Sequence, residues 1–371
     1  MAVTDGYSRL HLYLAAPFPP PSGGITNWVN VITDEISKRD DIEIRVIDIS
    51  LKREANDRDL VDNFTGLVRI VKSAIRCMSN KGRAQEDNAL LHICTSGGLG
   101  FTRDLLLIGV AHRANLPAVV HFHFGRIPEL LSSHCIEGLL LRLVLNHADG
   151  LICMDKKSES ALSENGYENK VVLIPNPIDG SRYKAIFQDK DDSVVFVGHV
   201  NKYKGVTDLV TAWCRLNDRL EGVKLKIVGP VQDDYRSELD GLCSSDKLEF
   251  LGPLSHDDAL SEIARSKCLI LPSYTEGFPN VVLEAFALGT PVIASNVGAL
   301  PEILSCGAGR MIMPGDIDDM CNAILELFGN ESLRLKIARS ARHKLDRLYT
   351  SKCVLDQLHE YWSRIIMNRC A

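Results

Sequence analysis

Two glutamates separated by seven residues carry the strongest chemical signal in the chain. Glu276 and Glu284 lie in the segment 269–295, LILPSYTEGFPNVVLEAFALGTPVIAS. Its apolar start reads as a strand that ends at Ser273, and Glu276, Gly277 and Phe278 form the loop that follows. Pro279 falls where a first helical position belongs, since a missing N–H and a fixed φ cost nothing there. The predicted helix runs over 279–288, so Glu284 lies more than one turn into it. A helix that starts at a strand's carboxyl end aims backbone N–H groups and its positive dipole end at a ligand, which suits a phosphate. From those places Glu276 could reach a sugar and Glu284 a ribose hydroxyl. An ordinary strand–helix turn with two solvated carboxylates would look the same in isolation.

Other residues of chemical interest also follow predicted strands. In FVGHVNKYKG (196–205), His199 and Lys204 come after a strand and before a helix. A lysine there neutralises a diphosphate as a point charge, and a histidine switches charge near neutral pH. The plain alternative for Lys204 is a solvated lysine at a helix start. In PFPPPSGGITNWV (17–29), Gly23 and Gly24 sit in a long loop between strand and helix, where glycine lets backbone approach a ligand. That loop lacks the G-x-G-x-x-G dinucleotide pattern. In AVVHFHFGRI (118–127), strand alternation puts His121 and His123 on one face and Phe122 and Phe124 on the other, just before Arg126. His123 is nearer the loop, with His121 as the alternative. Glu302, in LPEIL, is either a ligand contact or a carboxylate that complements a helix start.

Short apolar runs alternate with amphipathic stretches, with Gly or Pro at the switches. This pattern predicts parallel sheets covered by helices, an α/β fold. Strands are expected at 10–16, 42–49, 90–94, 118–124, 150–154 and 170–175, and again at 193–200, 225–229, 248–252, 268–273 and 291–295. Helices are clearest at 25–38, 102–114, 136–147, 205–217, 233–243, 256–266 and 279–288, and the chain after Gly315 reads as helical. A chain of 371 residues suits two domains. The expected division is an N-terminal Rossmann-like domain over 1–178, a polar linker over 179–192, a C-terminal Rossmann-like domain over 193–348 and a last helix over 349–371. A net charge of −6 argues against a nucleic-acid binder. The 11 cysteines are scattered without a CxxC pair, which points to reduced thiols in a cytosolic setting rather than a zinc knuckle. The N-terminal stretch has no basic region ahead of an apolar one, so no secretory leader is expected, and no apolar run is long enough to span a bilayer.

The segment EGFPNVVLEAFALGTPVIAS, its continuation GALPEIL (298–304) and the Lys204-Gly205 turn together resemble the retaining glycosyltransferases of family four, which have the GT-B fold. The resemblance extends over nearly the whole chain. It implies two Rossmann-like domains facing a cleft, with C-terminal helices crossing back to the N-terminal domain. It implies that Glu276 contacts the donor sugar, that Glu284 holds the ribose, and that Lys204 with backbone at Gly277, Phe278 and Pro279 serves the diphosphate. Gly23 and Gly24 would face the diphosphate and part of the acceptor, Leu254 and Pro253 the base, and Glu302 the surroundings of the donor sugar. His123 would stand near the sugar's primary hydroxyl, with His121 and Arg126 as acceptor-side candidates. The chain departs from the family at His199, where Arg or Lys is usual, and at Phe124, inserted before Gly125.

The implied reaction is transfer from a nucleotide sugar, UDP-linked first and GDP-mannose second, to a glycan or lipid-linked saccharide, as in cell-surface polysaccharide synthesis. It retains the anomeric configuration. No Asp-x-Asp follows a strand as a metal ligand pair, and helix ends with Lys204 can replace an ion, so neither metal nor cofactor is expected. The helix over 136–148 and the basic helix over 332–347 are candidates for contact with the inner face of a membrane, although a core helix and a solvated helix explain them as simply. The competing activities are an epimerase or phosphorylase of the same architecture, a dehydrogenase using Asp48, and a binding module whose catalysis was lost with the change at His199.

Overall fold

The computed structural model describes residues 9–18, 23–50, 60–78, 88–216, 219–243 and 246–370. The N-terminal residues 1–8 and the proline-rich loop residues 19–22 lie outside this set, so the loop expected at 17–24 is described only at its ends. The chain forms two compact units, Met1–Pro177 with Ser351–Ala371, and Ile178–Thr350.

The first unit holds β1 (Leu10–Ala16), β2 (Ile42–Asp48), β3 (Ala89–Thr95), β4 (Ala118–Phe122), β5 (Gly150–Cys153) and β6 (Val171–Leu173). They form one six-stranded sheet in the order β2-β1-β3-β4-β5-β6, parallel throughout. Side-chain alternation splits its core in two. Tyr13, Leu91, Ile93 and Phe122 pack on one face, while Leu12, Leu14, Leu90, Val119 and Ile152 pack on the other. The helix Ser351–Cys370 covers the second face with Val354, Leu355, Leu358, Trp362 and Ile366, against Trp28 of the helix Gly24–Ile36. Its Tyr361 Oη accepts from the Leu151 N–H at 2.7 Å and donates to the Lys170 carbonyl at 2.6 Å, so one hydroxyl serves two adjacent strands.

The second unit holds β7 (Asp191–Val197), β8 (Lys224–Val228), β9 (Leu248–Gly252), β10 (Ser266–Leu271), β11 (Val292–Ser295) and β12 (Arg310–Ile312). These also form a six-stranded sheet, in the order β12-β11-β10-β7-β8-β9, again parallel. The fold class is therefore the expected one, two parallel sheets with helices on their faces. β12 is an addition, a three-residue strand that is not among those expected. The stretch read as a linker is stitched into this unit. The Ile186 N–H donates to the Leu288 carbonyl at 2.9 Å, and Lys190 Nζ donates to the Ala264 carbonyl at 2.7 Å and to Thr290 Oγ1 at 2.9 Å.

In each sheet the chain leaves a central strand in one direction and later resumes on that strand's other side. The reversals fall between β1 and β3 and between β7 and β10. Loops diverge at such points, and ligands of open α/β sheets bind beyond the strand ends there. The loops after β7 and β10 carry Lys204 and Glu276; the loop after β1 ends at Gly23, and Gly24 opens the helix that follows.

Candidate active site

In the second unit, the strand exits bring the charged residues together through two glycines that admit no side chain. Gly205 has φ +70°, and a Cβ there would collide with the Pro272 carbonyl at the exit of β10. The Lys204-Gly205 turn can therefore lie directly on that strand. The Tyr274 N–H donates to the Tyr203 carbonyl at 2.8 Å, and Asn201 Oδ1 caps the Lys204 N–H at 3.0 Å. Gly298 has φ +55°, and a Cβ there would strike the carbonyls of Glu276 and Gly277. The GALPEIL turn is thereby pressed against the EGF loop, with the Ala299 N–H donating to the Gly277 carbonyl at 3.0 Å.

Lys204 Nζ consequently lies 2.7 Å from Glu276 Oε1. The hydroxyl of Ser273, a residue with no exposed surface, donates to the same oxygen at 2.6 Å. Only 7% of the Glu276 side-chain surface is exposed, against 29% for Lys204. Phe278 packs toward Tyr349, with ring centroids 6.1 Å apart. Tyr349 itself is buried, and burial, with Glu302 nearby, pushes its hydroxyl pKa up. Glu302 occupies the first turn of the helix Leu300–Leu304 and is half-buried. His199 follows Gly198 at the exit of β7 and is exposed.

Pro279 proves to be the N-cap of the helix Asn280–Leu288, one position earlier than expected, with extended backbone at φ −79° and ψ 105°. The helix ends at Gly289 in the left-handed region. Glu284 therefore stands in its second turn. His256 Nε2 lies 2.9 Å from Glu284 Oε1, and this contact raises the His256 pKa. His256 opens the helix His256–Arg265, capped by Ser255, directly after Leu254 in the loop that leaves β9. Leu254 is exposed. The roles of Ser273 and His256 are missing from the sequence reading. Ser273 figures there only as a strand end, and His256 is 28 residues from its partner with nothing in the spacing to link them. A cavity of about 200 Å³ lined by Lys190, Lys267, Gly289 and Arg334 lies at the opposite, N-terminal edge of this sheet and contains none of these residues.

In the first unit, Gly23 is the extended N-cap of the helix Gly24–Ile36, and the hydroxyl of Thr26 donates to its carbonyl at 2.8 Å. A Cβ on Gly24 would meet no atom of the described residues. His123 lies just past β4, with its N–H donating to the Thr95 carbonyl at 2.9 Å. The strand alternation is as expected: the rings of His121 and His123 lie 4.0 Å apart beside Trp28, and Phe122 and Phe124 pack on the other side with Phe101. His121 exposes no surface and so cannot touch an acceptor; of the two, His123 is the one that reaches a surface. Arg126 is exposed and pairs with Glu137 at 3.0 Å, whose Oε1 also accepts the Gly98 N–H at 2.9 Å.

Ligand atoms of His92, Cys94 and His121 lie within 4.8 Å of one another, all buried. Indole is only a donor, so the 3.1 Å contact from Trp362 Nε1–H makes His92 Nδ1 an acceptor. The proton of neutral His92 then sits on Nε2, which has no lone pair to give an ion. Cys94 and His121 remain, and burial pushes the Cys94 thiol pKa well above its ordinary value. The cluster is thus a set of neutral imidazoles. Burial pushes His92 and His123 down to about 3, and His121 well below the usual range.

Residues 179–344 match the family model described as Glycosyl transferases group 1. Over 309 residues the chain is 34% identical to the D-inositol 3-phosphate glycosyltransferase of Mycolicibacterium smegmatis, an alignment that spans 77% of this chain and 69% of that protein. It is 26% identical over 208 residues to the capsular polysaccharide biosynthesis glycosyltransferase CapM of Staphylococcus aureus, covering 55% of this chain and 54% of CapM. Of other curated relatives the chain spans between 26% and 66% of the length. Among solved structures, Anabaena HepE in complex with UDP superposes with a TM-score of 0.71 at 19% identity, covering 96% of this chain and 100% of that one.

Proposed function

Since this chain belongs to the group 1 glycosyl transferases, we propose that it moves a sugar from a nucleotide-sugar donor to a glycan or lipid-linked saccharide, with retention of anomeric configuration and without a metal ion. The observation that carries this reading is the cluster at the exits of β7 and β10, where Lys204 and Ser273 converge on Glu276 and a helix start follows. Transfer breaks the bond between the anomeric carbon and the diphosphate oxygen. Negative charge grows on the leaving group and positive character on the sugar ring. Lys204, exposed His199 and the helix start at Gly277–Pro279 stabilise the leaving diphosphate, the work a divalent ion does elsewhere. Glu276 takes sugar hydroxyls, Glu284 takes the ribose diol, and Leu254 lines the base. Glu302 borders the donor sugar. We assign Gly23, Gly24, His123 and Arg126 to the diphosphate and acceptor side. The acceptor hydroxyl attacks the anomeric carbon from the face the diphosphate leaves, and its proton passes to the departing phosphate oxygen.

UDP is the favoured base, with GDP-mannose second, and a fold neighbour solved with UDP supports that order. The relation to CapM supports cell-surface polysaccharide as the product. No helix among the described residues is long and apolar enough to cross a membrane. A lipid-linked acceptor would be met at the inner face of a membrane by the adjoining helices Gly100–Arg113 and Ile136–His147, which leave Leu106, Ile136, Leu139 and Leu143 exposed. The basic helix Glu331–Leu348 suits that contact less well, because Arg334, Arg342 and Lys344 are spent on backbone carbonyls.

A thermal-shift titration with UDP, GDP, ADP, dTDP and NAD, each with and without EDTA, tests the donor. A saturable shift with UDP that EDTA leaves unchanged is expected; a shift with NAD alone would overturn the reading. Proton NMR of the first product tests retention, and an inverted anomer refutes it. Vesicle sedimentation with Ile136→Glu and Leu139→Glu tests the membrane contact: binding by the parent and loss in the variants is the expected result.

A further inference from the structure

The two glutamates share a feature that neither their spacing nor their burial requires. Each is gripped through a single oxygen. Glu276 Oε1 receives both Lys204 Nζ at 2.7 Å and the Ser273 hydroxyl at 2.6 Å, and Glu284 Oε1 faces His256 Nε2 at 2.9 Å. Among the described residues, no hydrogen bond reaches Oε2 of either carboxylate. Both side chains are largely enclosed, with 7% and 12% of their surface exposed. A carboxylate has about four acceptor positions, and Oε2 of neither glutamate is among the sealed unpartnered atoms, so both stay open to a ligand. The open oxygens can accept from ligand hydroxyls, the chemistry of a sugar or ribose diol.

We infer that Ser273 and His256 are positioning residues, each holding one oxygen of a binding glutamate so that the other is presented to a ligand hydroxyl. The inference rests on the nucleotide-sugar reading above. Ser273 is rigidly placed at the exit of β10 and has no exposed surface. It hands Glu276 Oε2 to the donor sugar. His256 is fixed by the Ser255 cap at the start of its helix, and its Nε2–H orients Glu284 so that Oε2 meets the ribose. Two separate holders imply two separable selectivities. His256 controls recognition of the ribose 2′-hydroxyl; Ser273 controls the affinity gained when a sugar is attached to the diphosphate.

Calorimetric titration of the full chain reads both without knowledge of the acceptor. The ligands are UDP, 2′-deoxyUDP, UDP-glucose, UDP-galactose, UDP-N-acetylglucosamine, GDP, 2′-deoxyGDP and GDP-mannose. In the parent, the ribonucleotide that binds should exceed its deoxy counterpart by about tenfold, the scale of one hydrogen bond to a charged group. His256→Ala should shrink that ratio to about twofold or less and leave the gain from the attached sugar unchanged. Ser273→Ala should do the reverse. Both changes remove few atoms, and general damage to the fold would lower both ratios together. Ratios that stay at parental values, or that fall together in either variant, overturn the inference, as does a parent that binds bare diphosphate and every nucleotide sugar alike. A parent that binds none of the eight ligands overturns the nucleotide-sugar reading itself, a result distinct from parental binding with unmoved ratios.

Discussion

The two units carry ionisable side chains on and around their sheets and treat them in opposite ways. In the second unit the ionisable groups come with partners: Glu276 has Lys204 and Ser273, and Glu284 has His256. In the first unit, among the described residues, His121 has neither ring nitrogen hydrogen-bonded, and His92 and His123 each leave Nε2 buried without a partner. Partnered charges near a surface can be redistributed onto a ligand. The fully sealed imidazoles of His92 and His121 cannot, and must stay neutral to stay inside. The contrast separates groups arranged for binding from groups whose main effect is on stability.

The largest consequence concerns acid. The imidazoles of His92, His121 and His123 have folded pKa values depressed by burial, while an unfolded histidine titrates near 6.5. From about pH 7 downward the unfolded chain binds protons that the folded one refuses, so the stability present above the unfolded pKa is lost as pH falls through about 6.5 toward about 3. Two to three such groups give a slope of about 3–4 kcal/mol per pH unit. Circular-dichroism melts between pH 7.5 and 5 should show a steep fall in Tm. A flat profile would mean that the imidazoles find partners beyond the protein itself.

Next in size is the loss of a partner. Lys204→Met leaves Glu276 enclosed beside Ser273 alone, which should destabilise the second unit by about 1–3 kcal/mol and abolish transfer. An unchanged urea midpoint would place Lys204 in solvent rather than in the pair. Glu284→Ala should weaken nucleoside diphosphate binding about thirtyfold, as measured by calorimetry, with little change in melting temperature. The smallest effect has the opposite sign from the lysine change. His121→Leu removes an unsatisfied buried polar group at similar volume, so stability should stay within about 1 kcal/mol or rise. The acid slope should flatten by about 1.4 kcal/mol per pH unit, one proton's share. A strong destabilisation would show that His121 has a partner after all.

Much of this was legible in the order of residues. Eleven strands could be placed because each is an apolar run bounded by turn residues, and the two glutamates could be assigned to a loop and a helix because Pro279 and Gly289 punctuate that helix. Pro279 was displaced by one position because proline serves equally well at a cap and at a first turn. What stayed hidden is pairing at long range. Nothing local ties His256 to Glu284, or Trp362 to His92 across 270 positions. The sealing of His121 was equally invisible, since alternation tells which face a side chain takes but not whether that face is covered.

Because the helix Ser351–Cys370 completes the core of the first unit, that unit is discontinuous along the chain. A ribosome releases Leu12, Leu14, Trp28, Val119 and Ile152 early, then makes the whole of Ile178–Thr350 before Trp362 arrives to cover them. At about 5–20 residues per second that interval is on the order of ten seconds or more. During it the second unit can close on itself while the first keeps an oily sheet face uncovered. The order of translation thus makes the first-born half of this protein the last to mature.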